Sequence, residues 1–369
     1  MAGSRSGIGH PAASRAPLLV SPSGGDGSHR RLALTRIRQA GARDHSRGTR
    51  CLRTRGRRHG ERPGVSSVRN REFWTRYQPG FRTARAPIGT RAFYDEVTAR
   101  RYALEPHIPE VVRFERWSGC DVLEAGCGIG TDGARFAAAG AHYTGLDFSP
   151  TALALATRRF ELDRLPGRFV AGSITALPFA DRSFDLVFSH GVIHHVRDTE
   201  AAVREFHRVL RPGGMALVMV YHRRSINYHV SIMVVRRALC LVLAVPGTTS
   251  LVSRLTGEPP DVVSGHRALL SAHGLRYVRD PALFLSHNTD GPANPLSKVY
   301  SEDELRGLLC DGLRATSMQV RYLNLRLYPG GDRFSRSAVA RWLERRLGWH
   351  LYVEAVKDAP PVVASAGRA

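Results

Sequence analysis

Between Val122 and Thr131 the chain passes from a short apolar run into a helix-forming segment through three glycines at alternating positions, Val122-Leu123-Glu124-Ala125-Gly126-Cys127-Gly128-Ile129-Gly130-Thr131. No other feature restricts the fold as much. Glycine serves where the backbone must turn tightly and approach a ligand with no Cβ in the way. The helix that follows aims its first N–H groups and the positive end of its dipole at the same space. The turn is therefore the joint of a strand–helix unit, and the flanking sequence repeats that unit. Strands are predicted at Asp121–Glu124, His142–Leu146, Arg168–Ala171, Phe184–Phe188 and Met215–Val220. Helices are predicted at Thr131–Ala139, from Pro150 to about Leu162, and at Thr199–Leu210, the last stopped by Pro212-Gly213-Gly214. Such alternation implies an α/β fold, with a mostly parallel sheet covered by helices on both faces.

After the fifth strand the alternation lapses for roughly 90 residues, which reads as an inserted lid or substrate region. It contains the apolar stretch Ile226–Val245. A membrane span needs about 20 apolar residues with few charges, and Arg236 and Arg237 in its middle argue instead for an amphipathic lid helix. Regular structure is expected to return with a strand near Ser317–Leu325, a helix near Ser337–Leu347 and a strand at His350–Val356. The expected division is a disordered Arg-rich extension over 1–70, a core over 71–222 with an N-terminal helical cap, a lid or substrate insertion over 223–314, and completion of the sheet with a short tail over 315–369. Folded sequence is expected to start near Phe73-Trp74.

The formal charge of +22 raises nucleic acid or an acidic membrane as partners. Two features weaken that inference. Lys298 and Lys357 are the only lysines, so the excess is almost wholly arginine, as a GC-rich coding sequence would produce. About half of it also lies in residues 1–70, where Asp26, Asp44 and Glu61 are the only acids. Nucleic acid is accordingly not the favoured partner. The five cysteines are odd in number and widely spaced, without a C-x-x-C pair, so neither a zinc site nor a disulfide framework is indicated. With no apolar leader of signal-peptide length, a cytoplasmic protein without a transmembrane segment is expected.

Dinucleotide enzymes use G-x-G-x-x-G, and Gly130 breaks that register by falling one residue early. Glu124, two residues before the first glycine, would repel a pyrophosphate but suits a ligand bearing an ammonium group. Asp147 closes the next strand, about 20 residues after the turn, where a carboxylate can accept from both hydroxyls of a ribose. Taken singly, each acid could be a helix cap or a surface group. Their order along two adjacent strands points to a nucleoside.

The glycine turn, Asp147, and the stretches Ala176–Val187, Ser189–His195 and Arg208–Gly214 together resemble the class I S-adenosylmethionine-dependent methyltransferases of the "methyltransferase domain 11" type. The likeness covers about residues 98–222. It implies a Rossmann-like, seven-stranded sheet and S-adenosylmethionine as cofactor. It also implies that Glu124, Gly126, Gly128 and Gly130 line the methionine part, that Asp147 binds the ribose and Phe148 packs on the adenine, and that Ser173 and Ile174 sit at the adenine edge. Cys127 and Ser189 belong to the same cofactor-binding set. Relatives usually carry Asp where Ser173 stands, and a serine hydroxyl would hold the adenine amino group less strongly, at a loss of about 1 kcal/mol.

Methyl transfer from a sulfonium chiefly requires positioning and exclusion of water, and a base is needed only when the acceptor must lose a proton. His194 and His195, in the loop after strand four, are the candidate bases, and packing at the start of the next helix is the alternative for both. His190 is a similar candidate. The polar run His287–Tyr300 either caps the site and reads an acceptor or is a solvated loop ending in the capping box of Ser301 and Glu304. Arg101-Tyr102 would close over the cofactor. The expected reaction is methylation of a small-molecule acceptor at O, N or C. An RNA or protein methyltransferase and a non-catalytic cofactor-binding or membrane-associated protein are the alternatives.

Overall fold

The computed structural model describes residues 65–309, except 79 and 82, together with 312–323 and 337–359. The expected disorder of the Arg-rich extension therefore falls, up to residue 64, outside the described residues. Seven strands form one sheet: β1 Asp121–Ala125, β2 His142–Asp147, β3 Arg168–Ala171, β4 Phe184–His190, β5 Leu210–Tyr221, β6 Leu313–Arg321 and β7 His350–Lys357. Their order is β3-β2-β1-β4-β5-β7-β6. Strands β1 to β5 pair in parallel, and β7 runs antiparallel between β5 and β6.

The Rossmann-like α/β reading holds. Strand β4 is buried over its first six residues and reads Phe-Asp-Leu-Val-Phe-Ser, the near-continuous apolar run of a central strand covered on both faces. Its alternate side chains serve two cores. Val187 joins Leu123, Ile193 and Phe206 on one face, while Leu186 and Phe188 join Val122, Phe136 and Trp117 on the other. Strand order reverses between β1 and β4, so a crevice opens beyond their carboxyl ends, where open α/β sheets bind ligands.

Four expectations are corrected. Among the described residues the first helix is Val65–Arg76, which extends ahead of Phe73. The sixth strand is Leu313–Arg321 instead of Ser317–Leu325, because pairing with β7 starts at Leu313 opposite Lys357, directly after Gly312 with its φ of +96°. Strand β5 starts at Leu210, and Pro212-Gly213-Gly214 forms an irregularity within it instead of a separate turn. Ile226–Val245 is not one amphipathic helix but a π-helical segment, Asn227–Arg236, followed by the short α-helix Arg237–Val242. The β-branched run Val230, Ile232, Val234 and Val235 crowds regular α turns.

The helices Thr249–Thr256, Pro260–His273, Arg276–Arg279 and Pro281–Thr289 follow. They pack around Tyr277, Phe284, Cys240 and Val263, joined by Trp349 from beside β7. Among the described residues no helix is long and apolar enough to cross a membrane.

Candidate active site

The glycine turn sits at the switch point between β1 and β4. Gly126, Gly128 and Gly130 take φ of +90°, +52° and +74°, which L side chains rarely adopt. The N–H groups of Gly126 and Cys127 both donate to the Leu146 carbonyl of β2, at 2.7 and 3.0 Å. Gly128 N–H donates to Asp147 Oδ2 at 3.0 Å, and Ser149 N–H to Asp147 Oδ1 at 2.9 Å. Both carboxylate oxygens thus keep free lone pairs while their positions are set. A Cβ on Gly128 would meet nothing within 4 Å, so the backbone there borders open space, whereas one on Gly126 would run into Val192. Gly130 caps the helix Thr131–Ala138. A bare turn, a helix N-terminus and a fixed carboxylate fit a nucleoside bearing an amino-acid arm.

The other predicted cofactor residues separate into two groups. Phe148 is half-buried beside Asp147. Ser173 is exposed, its hydroxyl engaged with Thr175 Oγ1 at 2.8 Å. Glu124, Cys127, Ile174 and Ser189 are buried. Glu124 Oε2 accepts from the Tyr143 hydroxyl at 2.6 Å, and burial, reinforced by Asp132, holds its carboxyl well above the usual range. Ser189 donates to the Ala125 carbonyl at 3.0 Å, tying β4 to β1 just before the turn. Ile174 lies in the core with Leu146 and Leu177. Cys127 is covered, and burial pushes its thiol up.

Arg101 and Tyr102 reach the same region. Arg101 Nε and Nη2 donate to the two oxygens of Asp132 at 3.0 and 2.5 Å, and the Tyr102 hydroxyl donates to Asp132 Oδ1 at 2.8 Å. Asp132 occupies the first turn of the helix after the glycines, so these contacts clamp that helix from the preceding segment. Arg101 Nη2 also lies 3.2 Å from His190 Nδ1, and His190 Nε2 lies 2.8 Å from the Tyr352 hydroxyl. Glu105, His190 and His350 bring three ligand atoms within 4.8 Å of one another. The Arg101 guanidinium already supplies positive charge there, 3.7 Å from Glu105 Oε2.

The two candidate bases differ sharply. His194 is fully buried, its ring nitrogens have no hydrogen-bond partner, and its ring packs on Tyr221 with centroids 3.9 Å apart. Burial holds it neutral, far below the usual histidine pKa. His195 Nδ1 lies 2.8 Å from the Leu296 carbonyl and 3.2 Å from Ser297 Oγ, and its Nε2 is 3.4 Å from Asp290 Oδ2. Donation from Nδ1 to that carbonyl leaves Nε2 facing Asp290. Asp290 also accepts from the Tyr221 hydroxyl at 3.1 Å and from Asn294 Nδ2 at 3.3 Å. The polar run after helix Pro281–Thr289 is therefore folded onto His195.

A cavity of about 780 Å³ opens beside this cluster. Phe73, Trp74, Tyr77 and Phe81 form one wall, Val262 and Leu269 of helix Pro260–His273 another, and Asp290 lies at the edge. The Trp74 ring is 5.0 Å from the His195 ring. Gln78, which also lines the cavity, donates to Ser149 Oγ at 3.3 Å, two residues beyond Asp147. The cavity is thus bound at one side to the end of β2 and at the other to the loop after β4. Neither histidine lines it. Asp290 does, a residue signalled in the sequence only by its polar neighbourhood, and Trp74 and Tyr221 carried no signal.

Residues 123–218 match the family model described as a methyltransferase domain. Residues 123–218 thus form a methyltransferase domain. The malonyl-[acyl-carrier protein] O-methyltransferase of Erwinia billingiae is 40% identical over 112 residues, 30% of this chain and 43% of that protein. The demethylmenaquinone methyltransferase of Renibacterium salmoninarum is 34% identical over 143 residues, 36% of this chain and 58% of that protein. The chain thus spans about half the length of these relatives. Magnesium protoporphyrin IX methyltransferase from Synechocystis, solved with SAH bound, aligns over 80% of this chain and 98% of its own at 14% identity, with a TM-score of 0.45. The cofactor of such a domain is S-adenosylmethionine.

Proposed function

We propose that the protein methylates a small, largely apolar acceptor held in the cavity between Trp74 and helix Pro260–His273, with residues 223–314 acting as its substrate region. The carrying observation is that this cavity is tied through Gln78 to Ser149, beside Asp147, and through Trp74 and Asp290 to His195. An aromatic and aliphatic lining around a few polar groups is the usual make-up of a small-molecule site.

When bound, S-adenosylmethionine supplies an electrophilic methyl group on a sulfonium. The chain's residues do the rest. Asp147 and the bare backbone at Gly128 hold the nucleoside end, and the apolar walls orient the acceptor and exclude water. A hydroxyl or amine acceptor gives its proton to the Asp290 carboxylate, which His195, Tyr221 and Asn294 hold in place. His195 is thereby a positioning residue behind Asp290, and His194 packs. The test pairs calorimetric titration of S-adenosylmethionine into the full chain and its Asp147→Ala variant with transfer of labelled methyl to a panel of hydroxylated and amino aromatic compounds. Binding that the substitution abolishes, with transfer that Trp74→Ala cripples, supports the reading. Transfer to RNA or protein alone would overturn the acceptor class.

A further inference from the structure

Large exposed hydrophobic side chains are normally scattered singly over a protein surface. Here they are concentrated. Of the 13 among the described residues, eight fall between Val230 and Leu255, with Val234, Val245 and Leu255 the most open at 61%, 57% and 69%. They come from three consecutive elements: the π-helical segment, the helix Arg237–Val242 with the turn after it, and the helix Thr249–Thr256. Within that stretch Leu241-Val242 and Ala244-Val245-Pro246-Gly247 are exposed without a charged residue among them, and only Leu243 turns inward. Arg236 bonds to Glu258 at 2.7 Å and Thr248 Oγ1 to the Val242 carbonyl at 2.9 Å, so the three elements lie side by side.

The charge around this apolar surface is mostly positive, with Arg223, Arg224 and Arg236 ion-paired to Glu304, Glu302 and Glu258. Residues 223–281 contain eight arginines against Glu258, Asp261 and Asp280. Arg254 is exposed on the same helix as Leu251 and Leu255, and Arg276 and Arg279 are exposed further along. An apolar patch bordered by arginines, with no span long enough to cross, is the pattern of a surface that lies in a membrane interface with its cations among anionic headgroups.

We infer that the surface formed by residues 230–255 seats this protein on an anionic lipid bilayer, with the loop Leu241–Gly247 entering the headgroup region. The docking does not depend on the methyltransferase reading, but it bears on it. Helix Pro260–His273 packs against the docked helix Thr249–Thr256 and supplies Val262 and Leu269 to the cavity, so a single helix joins the docked surface to the cavity wall.

Flotation of the full chain with phosphatidylcholine vesicles, with and without about a third phosphatidylglycerol, tests this. Wild type is expected to float with the anionic vesicles, less so as salt rises. Val245→Glu and Leu255→Glu, both at exposed positions, should each reduce bound protein at least tenfold with unchanged thermal melting. Val339→Glu, on an exposed residue of the helix Ala338–Leu347, should leave binding intact. Three results would overturn the inference: no flotation with either vesicle, flotation that both glutamates leave undiminished and so resides in the Arg-rich extension, or a concentration-dependent dimer that Leu255→Glu dissolves without any lipid binding.

Discussion

Gly128 N–H donates to Asp147 Oδ2 at 3.0 Å, so the turn after β1 and the acidic end of β2 form one hydrogen-bonded unit. The glycines within that unit do different work. At Gly128 a Cβ meets open space, and the cost of Gly128→Ala is backbone strain at φ +52°, about 1 kcal/mol. At Gly126 the Cβ would lie 2.4 Å from Val192 Cγ2, adding overpacking of about 1–3 kcal/mol to the strain at φ +90°. Gly128→Ala is expected to fold almost as well as wild type yet lose S-adenosylmethionine affinity, because its methyl group stands where ligand should be. Gly126→Ala should lose stability first. Urea melts and calorimetric titration, run on both variants, separate the two effects. Equal stability loss at both positions would contradict the assignment.

Arg101→Ala is expected to destabilise the protein by about 3–5 kcal/mol, since it strips the guanidinium from a nearly buried carboxylate. The effect should exceed that of an ordinary surface pair, because Asp132 lies close to the buried Glu124 and raises that carboxyl further. A double variant, Arg101→Ala with Asp132→Asn, should recover much of the loss. Denaturant midpoints for the three proteins check this, and failure of the second substitution to rescue would show that Arg101 matters for another reason.

The cofactor half of the site was legible because its signals are local. The glycines, Asp147 and the strand–helix rhythm lie within one stretch of chain, and each answers to a backbone need. Spacing could not distinguish residues that face the ligand from those that lock the turn underneath. For Glu124 and Ser189 nothing in the sequence signals the bonds that fix their side chains, to the Tyr143 hydroxyl and the Ala125 carbonyl. The acceptor half was illegible for another reason. His195 and Ser297 are 102 residues apart, and only folding of the polar run onto the loop after β4 brings Asp290 to both His195 and the cavity, which Asp261 also lines. Trp74 fell where folded sequence was expected only to begin.

Stability should fall on acidification, through a set of histidines kept neutral by burial. His107 is pushed down to about 3 and His266 to about 4, while His190, His194 and His350 lie well below the usual value. In the unfolded chain these rings take up protons near pH 6.5. Their contribution is therefore complete above that pH and is lost as pH falls toward 4 and then 3. At pH 5, His107 and His266 should each cost about 2 kcal/mol. The raised carboxyls of Glu105, Glu124 and Asp147 act in the opposite direction. The histidine part is isolated by comparing urea midpoints at pH 7 and pH 5 for wild type and a His107→Asn, His266→Asn variant, whose midpoint should drop less.

Asp290 provides the sharpest test of the acceptor site, because two of its partners would support different chemistry if it were absent. With Asp290→Asn, the Tyr221 hydroxyl keeps a hydrogen-bond acceptor and the cavity keeps its shape, but His195 Nε2 loses the charge it faces at 3.4 Å and an acceptor loses the group that takes its proton. If the acceptor must be deprotonated, kcat should fall by about 10²–10⁴ with S-adenosylmethionine affinity unchanged. His195→Gln should fall less, since the carboxylate stays in contact with the acceptor, and it should lower kcat with KM for the acceptor nearly unchanged. Should Asp290→Asn retain full kcat, the acceptor carries no proton that needs a base, and a thioether or tertiary-amine nucleophile takes the place of a hydroxyl or amine.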